Sequence, residues 1–327
     1  MLNTTYPGDC RQLMQVMAAT GVRAQTCVTS PPYFGLRDYG HAGQIGLEAT
    51  PAAYVAQLVE VFRRVRDVLT DDGTLWLNLG DSYLGGGGFA PNAPINARRH
   101  KSGDRSAWGK MNPASYAALS AKKSAKPKTA PGLKTKDLIG IPWRVAFALQ
   151  EDGWYLRSDI IWHKPNPMPE SVTDRPTKAH EYLFLFAKQP KYYYDAGAIR
   201  EDVTQYRGGK VIGRGTQGYS KASAGPNGAP QRSQIGGYGL ADDLKRNART
   251  VWTITPKPFK GAHFACFPPD LVRPCILAGS RPGDTVLDPF MGSGTVAQVA
   301  REHGRNYIGC ELNTEYIKLH ALRGLVA

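Results

Sequence analysis

The sequence predicts an α/β fold, a mostly parallel sheet with helices on both faces, and three observations carry that reading. Strand-like and helix-like hydrophobic patterns alternate along the chain. A strand runs into a glycine turn and a helix start at Thr285-Val286-Leu287-Asp288-Pro289-Phe290-Met291-Gly292-Ser293-Gly294-Thr295. Glycine-rich, basic stretches are confined to two segments, so the alternation around them reads as one body with insertions.

Taken in order, Leu2–Tyr6 forms a short strand, and Gly8-Asp9 leads into a helix over Arg11–Ala19. Ala24–Thr29 is a buried strand ending at Ser30-Pro31-Pro32-Tyr33. Thr50-Pro51 opens a helix, because proline suits the first turn, where its missing N–H costs nothing. Tyr54, Val55, Leu58, Phe62, Val65 and Leu69 then recur at helical spacing, and Gly73 opens a strand over Thr74–Leu79. Ile141–Leu149 is helical, with Trp154–Trp162 and Tyr182–Ala187 as strands. The C-terminal part reads as helix Pro269–Ala278, strand Thr285–Leu287, helix Thr295–His303, strand Asn306–Cys310 and a closing helix Thr314–Leu325. No repeat of ~20–50 residues is visible.

The chain has 327 residues, with 42% hydrophobic and 10% aromatic residues, enough for a core. We read it as a single domain over 1–327. No stretch approaches ~18 consecutive apolar residues, so no membrane span is expected. Met1-Leu2-Asn3-Thr4-Thr5 lacks the basic and apolar regions of a secretory signal. The five cysteines, at 10, 27, 266, 275 and 310, form no Cys-x-x-Cys pair, which points to reduced thiols in an intracellular protein and to no zinc cluster. His163 and His180 have no partner at metal-ligand spacing, so no metal is expected.

The formal net charge of +14 is unevenly placed. Leu84–Lys136 carries eleven Lys/Arg against Asp104 alone, and Tyr206–Arg249 carries eight against Asp242 and Asp243. The rest of the chain is nearly neutral, at −2. Gly85–Gly88 and the ten glycines of Tyr206–Leu240 give both segments loop composition. Trp108, Tyr116, Tyr206, Tyr219 and Tyr238 interleave the cations, a pattern suited to a nucleic-acid backbone. A solvated loop that aids solubility is the bland alternative.

Glycines in the Asp288–Thr295 turn let the backbone approach a ligand, and the following helix start offers N–H groups. Glu311, 23 positions after Asp288 at the end of the next strand, stands where an acid accepts from ribose hydroxyls. The turn lacks the third glycine of the dinucleotide pattern and the Gly-Lys-Ser/Thr of a phosphate loop, so an adenosine-type cofactor is favoured over ATP hydrolysis. At the other ligand-binding strand end, Ser30-Pro31-Pro32-Tyr33 is a stiff turn whose prolines donate no N–H. Its hydroxyl, outward carbonyls and aromatic plane suit a planar ring bearing an amino group. Tyr33 could stack on that ring while the Ser30 hydroxyl and the Pro31 carbonyl accept from its N–H bonds. An ordinary proline turn with Tyr33 plugging the core is the alternative.

Together, Ser30-Pro31-Pro32-Tyr33 near the N-terminus and Asp288-Pro289-Phe290-Met291-Gly292-Ser293-Gly294-Thr295 near the C-terminus resemble the amino-methylating DNA methyltransferases of the beta class, whose motif order is circularly permuted. Gly8-Asp9-Cys10 resembles the motif that meets the cofactor's adenine. Trp162-His163-Lys164-Pro165-Asn166-Pro167 and His180-Glu181-Tyr182 resemble the middle motifs. His263-Phe264-Ala265-Cys266-Phe267-Pro268 resembles the segment near the cofactor's methionine end, and Tyr307-Ile308-Gly309-Cys310-Glu311 the ribose motif.

The resemblance implies a Rossmann-like methyltransferase fold and methyl transfer from S-adenosyl-L-methionine to an exocyclic amino group of a flipped DNA base. Ser30, Pro31, Pro32 and Tyr33 are then the catalytic residues. The cofactor residues it implies are Asp9, Cys10, Phe264, Phe267, Pro268, Asp288, Pro289, Phe290, Gly292, Ser293, Gly294, Thr295, Glu311 and Asn313. Serine at position 30 favours N4 of cytosine; N6 of adenine, RNA as substrate, and an inactive basic DNA-binding protein are the alternatives. The resemblance assigns target recognition to 200–250 and backbone clamping to 84–136. It implies a cytoplasmic enzyme encoded by a bacterium or a phage, and leaves room for a homodimer and a cognate restriction endonuclease. Pro274-Cys275 resembles the nucleophile of cytosine-C5 enzymes, but it lies in an apolar helical run and reads as structural. Trp76, Trp143, Trp154 and Trp162 fall within ordered elements and read as core.

Overall fold

The structure, a computed structural model, describes residues 2–41, 43–85, 122–123, 130–202, 245–256 and 267–325. In chain order its elements are β1 (Thr4–Pro7), α1 (Cys10–Ala19), β2 (Ala24–Thr29), β3 (Arg37–Asp38), α2 (Pro51–Val68), β4 (Leu69–Leu79) and β5 (Lys122–Lys123). They continue with α3 (Ile141–Glu151), β6 (Tyr155–His163), β7 (His180–Ala187), β8 (Glu201–Asp202), β9 (Lys245–Arg246) and β10 (Val251–Thr253). The C-terminal part comprises α4 (Pro269–Gly279), β11 (Thr285–Asp288), α5 (Thr295–Glu302), β12 (Asn306–Glu311) and α6 (Thr314–Lys318).

Two compact units make up the chain, Met1–Ala198 with Arg249–Ala327, and Ile199–Ala248. In the second, β8 and β9 pair antiparallel and Arg246 Nε lies 3.3 Å from Glu201 Oε2.

The sheet of the first unit has eight strands in the order β1-β12-β11-β2-β4-β7-β6-β10. All neighbouring pairs are parallel except the two made by β7, which alone runs the opposite way. The register places Thr5 opposite Gly309, Leu287 opposite Ile308, and Leu77 opposite Phe184. Every residue of β2 is buried, which is what a central parallel strand covered on both faces requires. Helices α1, α2 and α3 pack together in one layer, and α4 and α5 in the other.

The helix over Pro51–Val68 shows how the apolar spacing becomes packing. Thr50 Oγ1 accepts from the Ala53 N–H at 3.1 Å, capping the first turn. Tyr54, Leu58, Val61, Phe62, Val65 and Val68 then line one fully buried face. Each such side chain contributes about 1.5–3 kcal/mol by leaving water.

Two boundaries differ by more than two residues from expectation, and the second bears on the site. Leu69 is the first residue of β4 rather than part of the helix, because it pairs with Ala24; a register shift between Ala24 and Thr26 absorbs the early start. The closing helix stops at Lys318 and tightens into a 3₁₀ turn over Leu319–Arg323, ended by Gly324 at φ 66°. That turn carries His320 and Leu325 onto the glycine loop. Strand β10 escaped the periodicity because three residues give too short a pattern.

Most of the basic segment 84–136 lies outside the described residues, as does 203–244 of the second one. The two ends of the first are tied together. The Leu84 N–H donates to the Asp137 carbonyl at 2.9 Å, and the Lys136 N–H to the Leu84 carbonyl at 2.8 Å. β3 and β5 form a short antiparallel ribbon. No helix among the described residues is long and apolar enough to cross a membrane.

Candidate active site

Strand direction brings the carboxyl ends of β1, β12, β11, β2, β4 and β6 to one edge of the sheet, together with the amino end of β7. Open α/β sheets bind ligands at that edge. A cavity of about 460 Å³ opens there, within the ~300–1,000 Å³ usual for small-molecule sites. Its wall joins the two distant motifs. Ser30, Pro31, Pro32 and Tyr33 line it, and so do Asp9, Cys10, Phe267, Pro289, Phe290, Gly292, Ser293, Thr295, Glu311 and Asn313.

The remaining expected residues sit elsewhere. Asp288 is buried beneath the loop, Gly294 packs against the closing turn, and Pro268 is the buried residue preceding α4. Phe264 lies outside the described residues.

Glu311 is the hub of the β12 end. Its Oε2 accepts from the Gly292 N–H at 2.7 Å and its Oε1 from the Asn313 N–H at 2.8 Å. Burial pushes its carboxyl above the ordinary range, while those two N–H groups and that of Leu312 pull it back. A carboxylate has about four acceptor sites, so with the backbone N–H groups of Gly292, Asn313 and Leu312 acting on it Glu311 keeps acceptor capacity for a ligand hydroxyl.

Several N–H groups of the glycine loop are already spent inside the fold. The Met291 N–H is taken by the Cys310 carbonyl, that of Gly292 by Glu311, and that of Gly294 by the Met291 carbonyl. Those three N–H groups are not open to a phosphate, which leaves the loop as a floor suited to a neutral sugar or base. Gly294 is in the left-handed region at φ 82°, and a Cβ there would stand 2.7 Å from Leu325 Cδ1. His320 Nε2 lies 2.9 Å from the Gly292 carbonyl, an acceptor, so that ring nitrogen carries the proton. Nothing in the local sequence marks His320, because its role depends on the 3₁₀ turn.

Beneath this floor, Asp288 Oδ1 accepts from the Thr29 hydroxyl at 2.7 Å and from the Phe290 N–H at 3.0 Å. Asp288 Oδ2 is buried with no protein partner among the described residues. Burial pushes the Asp288 carboxyl up to about 7 against those two hydrogen bonds. At the β1 end, Asp9 caps α1 and grips Arg11, whose Nη2 lies 2.6 Å from Asp9 Oδ2. That guanidinium holds the Asp9 carboxyl below its ordinary range. Cys10 beside it is buried, which pushes its thiol up to about 12, with the Asp9 charge adding to the effect. Cys10 is therefore an inert thiol in the wall.

At the other lobe Tyr33 is half-buried, and its hydroxyl lies 2.7 Å from Glu181 Oε2, 3.2 Å from Asn78 Oδ1 and 3.4 Å from Ser30 Oγ. Lys164 Nζ donates to Glu181 Oε1 and sits 4.3 Å over the Trp162 ring. Burial and the Glu181 carboxylate push the Tyr33 phenol well above its ordinary range. The Asn78 amide is oriented by its donation to the Tyr182 carbonyl at 3.1 Å. Asn78, Trp162, Lys164 and Glu181 all line the cavity. Of these, Asn78 carries no sequence signal, being one polar residue in an apolar strand.

Pro32 is held by Tyr54, whose hydroxyl donates to the Pro32 carbonyl at 2.8 Å. The Pro31 carbonyl has no such partner among the described residues and is available to a ligand N–H. Cys275 is fully buried and its Sγ lies 3.2 Å from the Leu271 carbonyl, as expected of a structural thiol. No cluster of metal-ligating side chains occurs among the described residues.

The family model of DNA methylases acting at N6 or N4 matches residues 24–322. The chain is 47% identical over 316 residues to the Type II methyltransferase M.Cfr9I of Citrobacter freundii, covering 97% of this chain and 85% of that protein. It is 46% identical over 312 residues to the Type II methyltransferase M.SmaI of Serratia marcescens, covering 95% and 87%. Among solved structures, the PvuII DNA methyltransferase (cytosine-N4-specific) matches with a TM-score of 0.58 at 18% identity, over 98% of this chain and 85% of that one. A DNA modification methylase from Thermus thermophilus, complexed with S-adenosyl-L-methionine, matches with a TM-score of 0.53 at 22% identity, over 97% and 90%. The fold is that of the S-adenosylmethionine-dependent DNA methyltransferases. Matched by the family model from β2 to the closing turn, and nearly half identical to relatives throughout, the chain belongs to the N6/N4 DNA methylase family.

Proposed function

We propose that this protein transfers a methyl group from S-adenosyl-L-methionine to the exocyclic amino group of a base flipped out of duplex DNA, with N4 of cytosine as the preferred target. The observation that carries the reading is the shared cavity: Ser30 and Pro31 line the same space as Glu311 and Phe290.

The residues fit the cofactor. The free acceptor sites of buried Glu311 suit ribose hydroxyls, and the Asp9–Cys10 turn and Phe290 supply the surrounding wall. When bound, S-adenosylmethionine supplies a methyl group on a positively charged sulfur that leaves as a neutral thioether. The protein's share is positioning and electrostatics. An aromatic amine is a poor nucleophile because its lone pair is delocalised into the ring. Acceptance of its N–H bonds by Ser30 Oγ and the Pro31 carbonyl favours a pyramidal nitrogen with the lone pair exposed. Extruding the base costs a few kcal/mol, which contacts along the Ser30–Tyr33 turn offset.

Serine at position 30 supports cytosine. Adenine N6 remains the second reading, since the family covers both amino groups. We assign target recognition to 200–250 and backbone clamping to 84–136, both as insertions in one methyltransferase domain. A cognate restriction endonuclease, a homodimer and a cytoplasmic location complete the proposal; the Type II names of the relatives support the nuclease.

The test is direct. Purified protein, S-adenosylmethionine and unmethylated DNA are incubated, and the DNA is digested to nucleosides for mass spectrometry. N4-methylcytosine is expected. N6-methyladenine would move the assignment to the second reading, and absence of both, with no cofactor binding, would overturn the proposal.

A further inference from the structure

The hydroxyl of Tyr33 is surrounded by groups that fix the direction of its hydrogen bonds. Lys164 has donors only, so its ammonium commits Glu181 Oε1. Glu181 Oε2 accepts at 2.7 Å from the single Tyr33 proton, the shortest contact that hydroxyl makes. Asn78 turns its Oδ1 toward Tyr33, because its Nδ2 is spent on the Tyr182 carbonyl. Among the described residues, two acceptors and no other donor therefore face the phenol, apart from Ser30 Oγ at 3.4 Å. The Tyr33 oxygen can only accept from Ser30, so the Ser30 proton points to Tyr33.

We propose that Glu181, held by Lys164, is a positioning residue: through Tyr33 it sets the proton direction so that Ser30 presents a lone pair, rather than its proton, to the target amine. This rests on the base-methylating reading of the Ser30–Tyr33 turn. A Ser30 that donated into the cavity would have no acceptor on an amino group whose lone pair must stay free for the methyl group. The 3.4 Å separation is long for a hydroxyl pair, so the bond is weak in the free protein and its direction rests on the stronger Glu181 contact.

Glu181→Gln tests the direction while keeping the shape. Lys164 can only donate, so it takes the carboxamide oxygen and turns the NH₂ toward Tyr33. The Tyr33 oxygen then accepts from that NH₂, and its proton is no longer fixed on Glu181 and can turn to Ser30 Oγ as well as to Asn78, so the direction at Ser30 is lost. Single-turnover methylation of DNA is measured for the wild type, Glu181→Gln, Tyr33→Phe and the double variant, with S-adenosylmethionine affinity read by calorimetry. Glu181→Gln is expected to slow the transfer step by about tenfold or more while cofactor affinity changes by less than about twofold. In the Tyr33→Phe background the same substitution is expected to cost less than about threefold, because the relay is already cut.

Independent, multiplicative losses in an active wild-type background would overturn the relay alone. A wild type that binds cofactor but methylates no base would overturn the functional reading and the relay with it. Should Glu181→Gln fail to fold, Lys164→Met in the same cycle tests whether holding Glu181 in place matters, and losses that multiply independently with Tyr33→Phe overturn the relay there too.

Discussion

Thr29 donates its hydroxyl to Asp288 Oδ1 at 2.7 Å, across 259 positions of sequence. The bond ties the strand that ends in Ser30-Pro31-Pro32-Tyr33 to the strand that ends in the glycine loop, so the two lobes of the cavity share one buried fastening. Asp288 also carries an oxygen without a protein partner among the described residues, and its carboxyl is pushed up to about 7 by burial.

Stability should fall as pH rises toward neutrality for this reason. The folded chain holds the Asp288 proton up to about pH 7, whereas an ordinary aspartate releases it near 3.8. The stabilising contribution is therefore complete below the unfolded value and is lost as pH rises through the folded one. Asp288→Asn should flatten that dependence. Relative to wild type the variant should gain stability between denaturant titrations at pH 5 and pH 8, and a constant difference would show that Asp288 does not titrate there.

Glu311→Ala should weaken S-adenosylmethionine binding by about tenfold or more, the usual scale for losing hydrogen bonds to a charged group. The Gly292 and Asn313 N–H groups also lose their acceptor, so the loop floor loosens. Isothermal calorimetry measures the change; unaltered affinity would place Glu311 outside the binding site.

Ser30→Ala should slow methyl transfer by about tenfold or more while leaving cofactor affinity intact, since a site built to hold the amine loses one of its acceptors. Rapid-quench measurement of the transfer step distinguishes this from a binding defect. Full activity would leave the Pro31 carbonyl as the principal acceptor.

Gly80 has no side chain because Tyr33 occupies the space. A Cβ there would stand 2.5 Å from Tyr33 Cε2. Gly80→Ala should push the ring from Glu181 and lower the transfer rate. Cofactor affinity should hold, because Gly80 lies beside the base lobe. Equal loss of both would indicate a general packing defect instead.

Log affinity for DNA should fall linearly with log salt, with a slope near about −0.9 for each phosphate contacted. Filter binding across a salt series tests this for the full chain, and neutralising substitutions among Arg98, Arg99 and Lys101 should flatten the slope. A flat wild-type response would remove the basic segments from the DNA-contacting role.

The alternating patterns determined the α/β class, and for particular reasons: Ala24–Thr29 carries no charge and runs into a proline turn, and Tyr54–Val65 repeats at the helical period. The two motifs were legible because each packs unusual chemistry into a few adjacent residues, namely two prolines between a hydroxyl and a ring, and glycines after an acidic strand end. Their meeting was a matter of sheet order, since parallel pairing of β2 with β11 is a long-range contact that no local pattern encodes. Likewise Glu311 reaches the Gly292 N–H only because β12 lies beside β11, and His320 reaches the same loop only because the closing helix tightens into a 3₁₀ turn. Asn78, Lys164 and Glu181 converge on Tyr33 from three strand ends. The sequence by itself settled which chemistry is present and in what kind of fold; tertiary structure alone decided which hydrogen bonds point where, because their partners stand tens to hundreds of residues apart and are selected by strand direction and register.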